Sequence, residues 1–421
     1  MAKSYRRVDV SIAMESVFAE YQVDLFEEYD VFAIDGGYES GDFDQEKLVN
    51  RLKYYGAVGT QMEFFRLQLL SDAGNADFLK QTVDYVRTKT GMGWLESERE
   101  TVSTWENQKE DAKETAEKET QVLDQMEELI LAEGKDLPQK DNPIAHISDI
   151  KNKPILELVL PQDRHVSDKT LGGADLFSER SKNVGIGEFY KSADNGAIVK
   201  LALYEYAQDH FGSYDNPKEG RALDYEMEYL LAGEKNDEDN LSTVANHILG
   251  IRFGANYLYL QTDSGRKSEA LALATTLCTL FQVPAITEAV KQGILLAWAY
   301  GEGIMDVRSL MEEKKVPLIK GDENWQLSLS GLLTLGTGSE ESQGMDSEEG
   351  MDYLDYIRLL FYLEDSKECS DNMLSLIEKN LHLKGKNFIR IDHMATGIGI
   401  DCESSVRRNI KYSYKVALSY G

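Results

Sequence analysis

From Gly293 to Gly301 the chain carries no charge and no proline, and residues 294–300 (Ile-Leu-Leu-Ala-Trp-Ala-Tyr) are apolar around every side of a helix. Such a helix has no face to offer water and must be buried. Pro284 supplies a natural start, because a residue in the first turn has no intrahelical use for its N–H. The uncharged run is far shorter than the roughly 20 residues needed to cross a bilayer. It therefore reads as a core helix of a water-soluble domain, and the rest of the chain has to surround it.

The surroundings are helical. Residues 198–211, 222–231, 241–260, 268–281, 285–311, 352–363 and 372–381 all show helical periodicity, with Leu241, Val244, Ile248, Ile251, Ala255 and Leu258 forming the clearest stripe. Gly250 and Gly254 lie one turn apart on that stretch. They are expected to admit a neighbouring backbone at a cost of about 1 kcal/mol each in helix propensity, with the small residues Ala270, Ala274 and Cys278 as the surface received.

The two ends of the chain read differently. Val10, Met14, Val17, Tyr21 and Leu25 recur at helical spacing over about five turns. Residues 29–34 read as a strand or extended segment entering the Asp-Gly-Gly turn, and Asp44 is placed to cap a helix carrying Leu48, Leu52 and Tyr55, with Gly56 suited to ending it. In residues 61–70 the apolar positions shift from even (Met62, Phe64) to odd (Phe65, Leu67, Leu69), which predicts a strand with a bulge near Phe64. Residues 155–160, between Pro154 and Pro161, also read as a strand. Period two returns near the C-terminus. Residues 388–400 switch phase at His393 and Met394, and Ile410, Tyr412, Tyr414, Val416, Leu418 and Tyr420 then alternate with polar or small residues, the strongest strand signal in the chain.

Strands at both ends and helices between them predict an α+β fold. An antiparallel sheet lobe is built from both chain ends, residues 1–165 plus 384–421, with the amphipathic N-terminal helix packed on it. A large all-helical domain, residues 196–383, is inserted. Within the sheet lobe, residues 96–135 form a charged excursion, helical or disordered. Nine of the fourteen residues 106–119 are charged and none is a large hydrophobe, so this piece is expected to bury no core face, and helix resumes at 122–131 before a linker bracketed by Pro138 and Pro143. Residues 162–195 and 332–350 read as loops by composition.

Acidic residues outnumber basic ones 74 to 45, a net charge of -29, which argues against a nucleic-acid surface or an anionic membrane surface as partner. Cys278, Cys369 and Cys402 are too widely spaced for a disulfide framework or a metal knuckle. No two histidines have metal-site spacing, and His210 and His247 read as packed or capping residues. The Gly-x-Gly pairs at Gly185, Gly301, Gly336 and Gly397 lack the third glycine of a dinucleotide loop and read as turns. Ser148-Asp-Ile-Lys151 and Ser264-Gly-Arg-Lys267 match the Ser-x-x-Lys pattern of acylating enzymes without its companion motifs. The clusters Asp237-Glu238-Asp239 and Asp346, Glu348, Glu349 lack the glycine of a calcium loop; the first suits the N-terminus of a helix. No catalytic, cofactor or metal residue is assigned.

The N-terminal run from Asp9 to Asp35 (Asp-Val-Ser-Ile-Ala-Met-Glu-Ser-Val-Phe-Ala-Glu-Tyr-Gln-Val-Asp-Leu-Phe) resembles the segment following the membrane helix in pseudopilin-like proteins of bacterial tight-adherence (Tad) pilus loci. Two further stretches, from Glu205 to Leu260 and from Ala289 to Leu329, resemble an uncharacterised bacterial domain family found with such N-termini. The resemblance implies a non-enzymatic, pilin-like structural or assembly component at the cell surface, with other pilus or secretion-apparatus proteins as partners and no cofactor. It implies tethering through a transmembrane helix ahead of the Met-Ala-Lys-Ser-Tyr-Arg-Arg opening; read literally, that opening gives a cytoplasmic protein. A surface-associated hydrolase is the alternative, and an acidic calcium-dependent adhesion module a third.

Overall fold

A computed structural model describes residues 2–91, 99–133, 140–172, 175–188, 196–280, 282–337, 345–406 and 410–420. The described helices are α1 (Ala2–Phe18), α2 (Val23–Tyr29), α3 (Gln45–Tyr54), α4 (Asp72–Thr90), α5 (Arg99–Glu133), α6 (Pro143–Lys151), α7 (Ile155–Val159), α8 (Gly196–His210), α9 (Glu226–Ala232), α10 (Asp237–Thr262), α11 (Ser264–Leu280), α12 (Thr287–Met311), α13 (Leu329–Leu332), α14 (Tyr353–Leu363) and α15 (Ser366–Leu383). The strands are β1 (Ile34–Asp35), β2 (Thr60–Leu69), β3 (Met394–Val406) and β4 (Ile410–Ser419). The fold is α+β, and its antiparallel sheet takes two strands from each end of the chain.

The chain divides into two compact units. A sheet unit comprises Met1–Glu96, Lys169–Asn236 and Glu364–Gly421, and a helical unit comprises Ser97–Asp168 and Asp237–Leu363. These limits differ from the expected 1–165 plus 384–421 and 196–383. Helices α5, α6 and α7 belong with the core helix α12, whereas α8, α9 and α15 belong with the sheet. The cause is packing: α8 and α15 lie against α4, and α5 lies against α10, long-range pairings that local periodicity does not encode.

In the sheet unit β3 is central, antiparallel to β2 along one edge and to β4 along the other, with β1 joined at Met394 and Ala395. The expected irregularity in β2 is present, as register shifts between Phe64 and Arg66 and between Gln68 and Leu69. These shifts bring even-numbered Met62 and Phe64 and odd-numbered Leu67 and Leu69 to one core. The phase change at His393 and Met394 is the junction of a 3-10 turn, Ile391–His393, with β3. Ile398, Ile400 and Cys402 of β3 and Tyr414 of β4 share a core with Val10, Met14 and Val17 of α1 and Leu48 and Leu52 of α3. As expected, Asp44 caps α3 by accepting from the Glu46 N–H at 2.8 Å.

Other expectations are corrected. The N-terminal stripe is not one helix. It breaks after Phe18, and Gln22 caps α2 by accepting from the Asp24 N–H. Of the predicted strand 29–34, Tyr29 ends α2 and only Ile34 enters β1, because Asp30 adopts a left-handed conformation, φ 53°, that terminates the helix. Residues 155–159 form helix α7 rather than a strand. Ile155, Leu156, Leu158 and Val159 are buried and Glu157 between them is exposed, one face of a helix, but five residues are too short a run for periodicity to separate helix from strand. Helix α9 begins at Glu226 and not at Ala222. Helix α4 was not anticipated, and it opens on three left-handed residues, Ala73, Gly74 and Asn75. Pro138 and Phe281, expected in a linker and at a helix end, lie outside the described residues, as does the 338–344 part of the loop expected at 332–350.

The charged stretch 106–119 is a continuous part of α5 and does bury a face. Trp105, Gln108, Thr115, Val122 and Met126 are buried at successive spacings of three, seven, seven and four, a seam that small and polar residues disguise. At Gly254 of α10 an added Cβ would fall 2.6 Å from Ala112 Cα. The close approach predicted for this glycine is therefore real but is made by α5, while Gly250 faces open space. Ala270, Ala274 and Cys278 of α11 are buried, and α11 packs chiefly on α12.

Candidate functional site

Three features of the two units could carry function. The first is α1. With 3.6 residues per turn, Val10, Met14 and Val17 fall on one side of this helix and Tyr5, Val8 and Ile12 on the opposite side. The first set is fully buried against the sheet, whereas Tyr5, Val8 and Ile12 are 68%, 52% and 53% exposed. The helix is fastened by Tyr414 Oη, which donates to the Arg6 carbonyl at 3.2 Å, and by Tyr420 Oη, which donates to the Phe18 carbonyl. Its outward apolar stripe has no such explanation within the sheet unit.

The second feature is a sealed ionic cluster in the helical unit. Glu302 and Asp306 lie one turn apart on α12, facing Arg252 and Asn256 of α10 and Lys320 of the following loop, all essentially inaccessible to water. Lys320 Nζ bridges the carboxylates, contacting Glu302 and lying 2.5 Å from Asp306 Oδ1. Asp306 Oδ2 accepts from Arg252 Nε and Asn256 Nδ2, each at 2.9 Å. Glu302 accepts the N–H groups of Gln326 and Leu327 at 2.8 and 2.7 Å, and Arg252 Nη1 donates to the Leu318 carbonyl at 2.8 Å. Burial raises the Glu302 carboxyl above its usual range, reinforced by neighbouring Asp306. Asp306 is held below its range: burial opposes ionisation, but Lys320 and Arg252 overcome it. Glu302 and Asp306 Oδ2 are held by fixed donors, and Asp306 Oδ1 is buried with only the Lys320 ammonium beside it; the cluster clamps the segment 318–327 onto the core helix and is placed to hold structure.

The third feature is a cavity of about 480 Å³ between α5, α6 and α12, within the size range of small-molecule sites. Its apolar wall includes Leu123, Met126, Ile144, Ile147, Leu296 and Ala297; Glu119, Ser148, Asp149 and Lys151 supply its polar groups. Lys151 Nζ sits 2.7 Å from both Glu119 oxygens and 4.5 Å from the centre of the Tyr300 ring. The Ser148/Lys151 pair singled out from sequence thus lines a real cavity. Its lysine, however, is held by a carboxylate rather than by the serine hydroxyl.

The other flagged residues are placed as follows. Ser264 and Lys267 lie on the first turn of α11, with Lys267 donating to the Gln261 carbonyl. His210 is buried and stacked on Tyr206, and its ring nitrogens meet the Tyr206 carbonyl and Asp30. His247 is exposed on α10. Asp237, Glu238 and Asp239 form the first turn of α10, as expected. Asp346 accepts from the Lys315 N–H at 2.9 Å. The glycine pairs are mostly not turns. Gly301 and Gly303 lie inside α12, where added Cβ atoms would meet Leu332 and Leu249, and Gly397 and Gly399 lie in β3. Gly185 is extended against Leu67, and only Gly336, at φ 69°, occupies a turn; its partner Gly338 lies outside the described residues. The cysteines are free and buried. Among the described residues no group of three or more His, Cys, Asp or Glu side chains could hold a metal ion, and no helix is long and apolar enough to cross a membrane.

Sequence reasoning missed the ionic cluster. A signal was present, in Arg252 and Asn256 spaced one turn apart inside an apolar stripe and in Glu302 and Asp306 likewise on the core helix. A family of unknown function (DUF5702) matches residues 133–406. That span includes both central stretches quoted above and excludes the N-terminal run from Asp9 to Asp35. No curated protein and no solved structure matches the chain.

Proposed function

The chain belongs to this family of unknown function (DUF5702), and from that premise we propose that it is a structural or assembly component of the bacterial cell surface, a pilin-like subunit of a Tad-type pilus or related secretion apparatus. The observation that carries this reading is the two-sided α1, one apolar face spent on a sheet made from both chain ends and the opposite face, Tyr5, Val8 and Ile12, turned outward. Exposed apolar residues scattered singly are ordinary, but three at helical spacing on one face form a contact stripe. Its partners would be other subunits of the apparatus, and the protein would reside outside the cytoplasm, held there by a membrane helix preceding α1.

The test is fractionation of cells making the tagged native protein into cytosolic, membrane and sheared-appendage fractions. A Val8→Glu, Ile12→Glu double variant runs in parallel, with circular dichroism to verify folding. Recovery in membrane or appendage fractions, lost in the variant while the spectrum is unchanged, supports assembly through α1. Recovery of the native protein wholly in the cytosol overturns the reading. A surface-associated hydrolase remains the second reading, because Ser148 and Lys151 share one cavity. Labelling of Ser148 by a fluorophosphonate, with loss on Ser148→Ala, is the result it requires.

A further inference from the structure

The cavity of the helical unit has a chemistry that neither reading uses. Its length follows from α5. Glu119, Leu123 and Met126 mark one wall, and seven residues of helix span about 10 Å at 1.5 Å per residue. One end carries the ionic groups, and apart from Asn142 the rest is aliphatic. The α12 wall at this level consists of Gly293, Leu296 and Ala297, and Ile144 and Met126 close directly on Gly293, where an added Cβ would fall 2.8 Å from the one and 3.0 Å from the other. At the polar end the ammonium of Lys151 is already satisfied, clasped by both oxygens of Glu119 and resting over Tyr300. Asp149, by contrast, is exposed and has no ion-pair partner among the described residues, and the Ser148 hydroxyl beside it is exposed. The mouth therefore has two carboxylates against one committed lysine, on a chain with a net charge of -29. Its field repels anions and attracts cations.

We propose that this cavity is a binding site for an aliphatic chain ending in a primary ammonium. The tail lies along Leu123, Met126, Ile147 and Leu296, and the head lies between Asp149, the Ser148 hydroxyl and the remaining lone pairs of Glu119. The site is independent of the α1 contact stripe. An anionic head would have to displace Glu119 from Lys151 and approach against the net charge, and a neutral hydroxyl head could donate one hydrogen bond to Asp149 but would gain no charge–charge attraction.

Calorimetric titration of the full chain with octylamine, octanol and octanoate, which share one tail and differ in the head, tests the assignment. Octylamine is expected to bind about ten-fold or more tighter than octanoate at low salt, consistent with one or two near-surface charge contacts, with the gap narrowing at high salt. Asp149→Asn should shrink the preference, and Glu119→Gln, which frees Lys151, should shift it toward octanoate. Ala145→Trp, at a partly exposed position on the wall, should abolish binding of all three without changing the melting temperature. Equal or tighter binding of octanoate to the unmodified protein, binding that survives Ala145→Trp, or no binding of any probe would each overturn the proposal.

Discussion

Lys320→Met gives the most informative perturbation of the helical unit, because among the described residues the ammonium it removes is the only side-chain cation touching Glu302. The side chains of Lys320, Glu302 and Asp306 are 1%, 0% and 0% exposed. Without Lys320, Asp306 loses the cation beside its Oδ1 but keeps Arg252 and Asn256 at 2.9 Å, so the larger loss falls on Glu302, left with two backbone N–H donors and no countercharge. Breaking a buried ion pair from one side costs about 3–5 kcal/mol, a large share of the roughly 5–15 kcal/mol by which a domain is stable. Adding Glu302→Gln removes the stranded charge and should restore about half of that cost, since the amide oxygen still accepts from the loop.

The deficit should also depend on pH. A carboxyl whose folded pKa is raised binds its proton more readily folded than unfolded, so lowering the pH from 7 toward 5 should shrink the deficit of Lys320→Met. The assay is urea denaturation followed by tryptophan fluorescence, because Trp105, Trp298 and Trp325 all belong to the helical unit and Trp325 lies 5.7 Å from Lys320 Nζ. A loss below about 1 kcal/mol, or a double variant worse than the single one, would show that the cluster is not the clamp described.

Other outcomes can be checked alongside. Tyr414→Asp should destabilise the sheet unit by about 3–5 kcal/mol by placing a charge where an aromatic ring packs under α1, whereas Lys411→Asp, on the exposed face, should shift its melting midpoint little beyond the small loss of the Glu403 bridge. Gly254→Val should destabilise by at least about 1–3 kcal/mol, since a Cβ at 254 meets the α5 backbone, whereas Gly250→Ala, where an added Cβ meets nothing, should stabilise by up to about 1 kcal/mol and raise the melting temperature. On acidification the sheet unit should weaken in two stages, followed by circular dichroism. Burial depresses His393, so protonation of the unfolded chain lowers stability from about pH 6.5 downward. Asp392 is held below its ordinary range, despite burial, by the Asn183 N–H and Arg180, and its contribution, present above about pH 4, is lost as the pH falls through the depressed value. Asp392→Asn should flatten the second stage and, by removing the carboxylate that partly offsets the burial of His393, deepen the first.

Much of the fold was legible from local pattern. Residues 294–300 could only be buried, the alternation from Ile410 to Tyr420 could only be a strand, and the change of parity between Phe64 and Leu67 marked the irregularity in β2. These readings succeed because helix and strand periods are local properties of the backbone, so each segment declares which face it must hide. Residues 155–159 were misread because five residues, four buried around the exposed Glu157, are too few to fix a period. The partition into units was not legible, and neither was the role of α5, whose seam runs through Gln108, Ala112 and Thr115 and is recognisable only once Gly254 is seen to receive Ala112. Nor could any local pattern bring Lys320 onto Glu302 and Asp306, or Ser148, Asp149 and Glu119 to one rim. Those juxtapositions depend on which of many available faces pair, a choice made by the packing of the whole chain and carried by no segment alone.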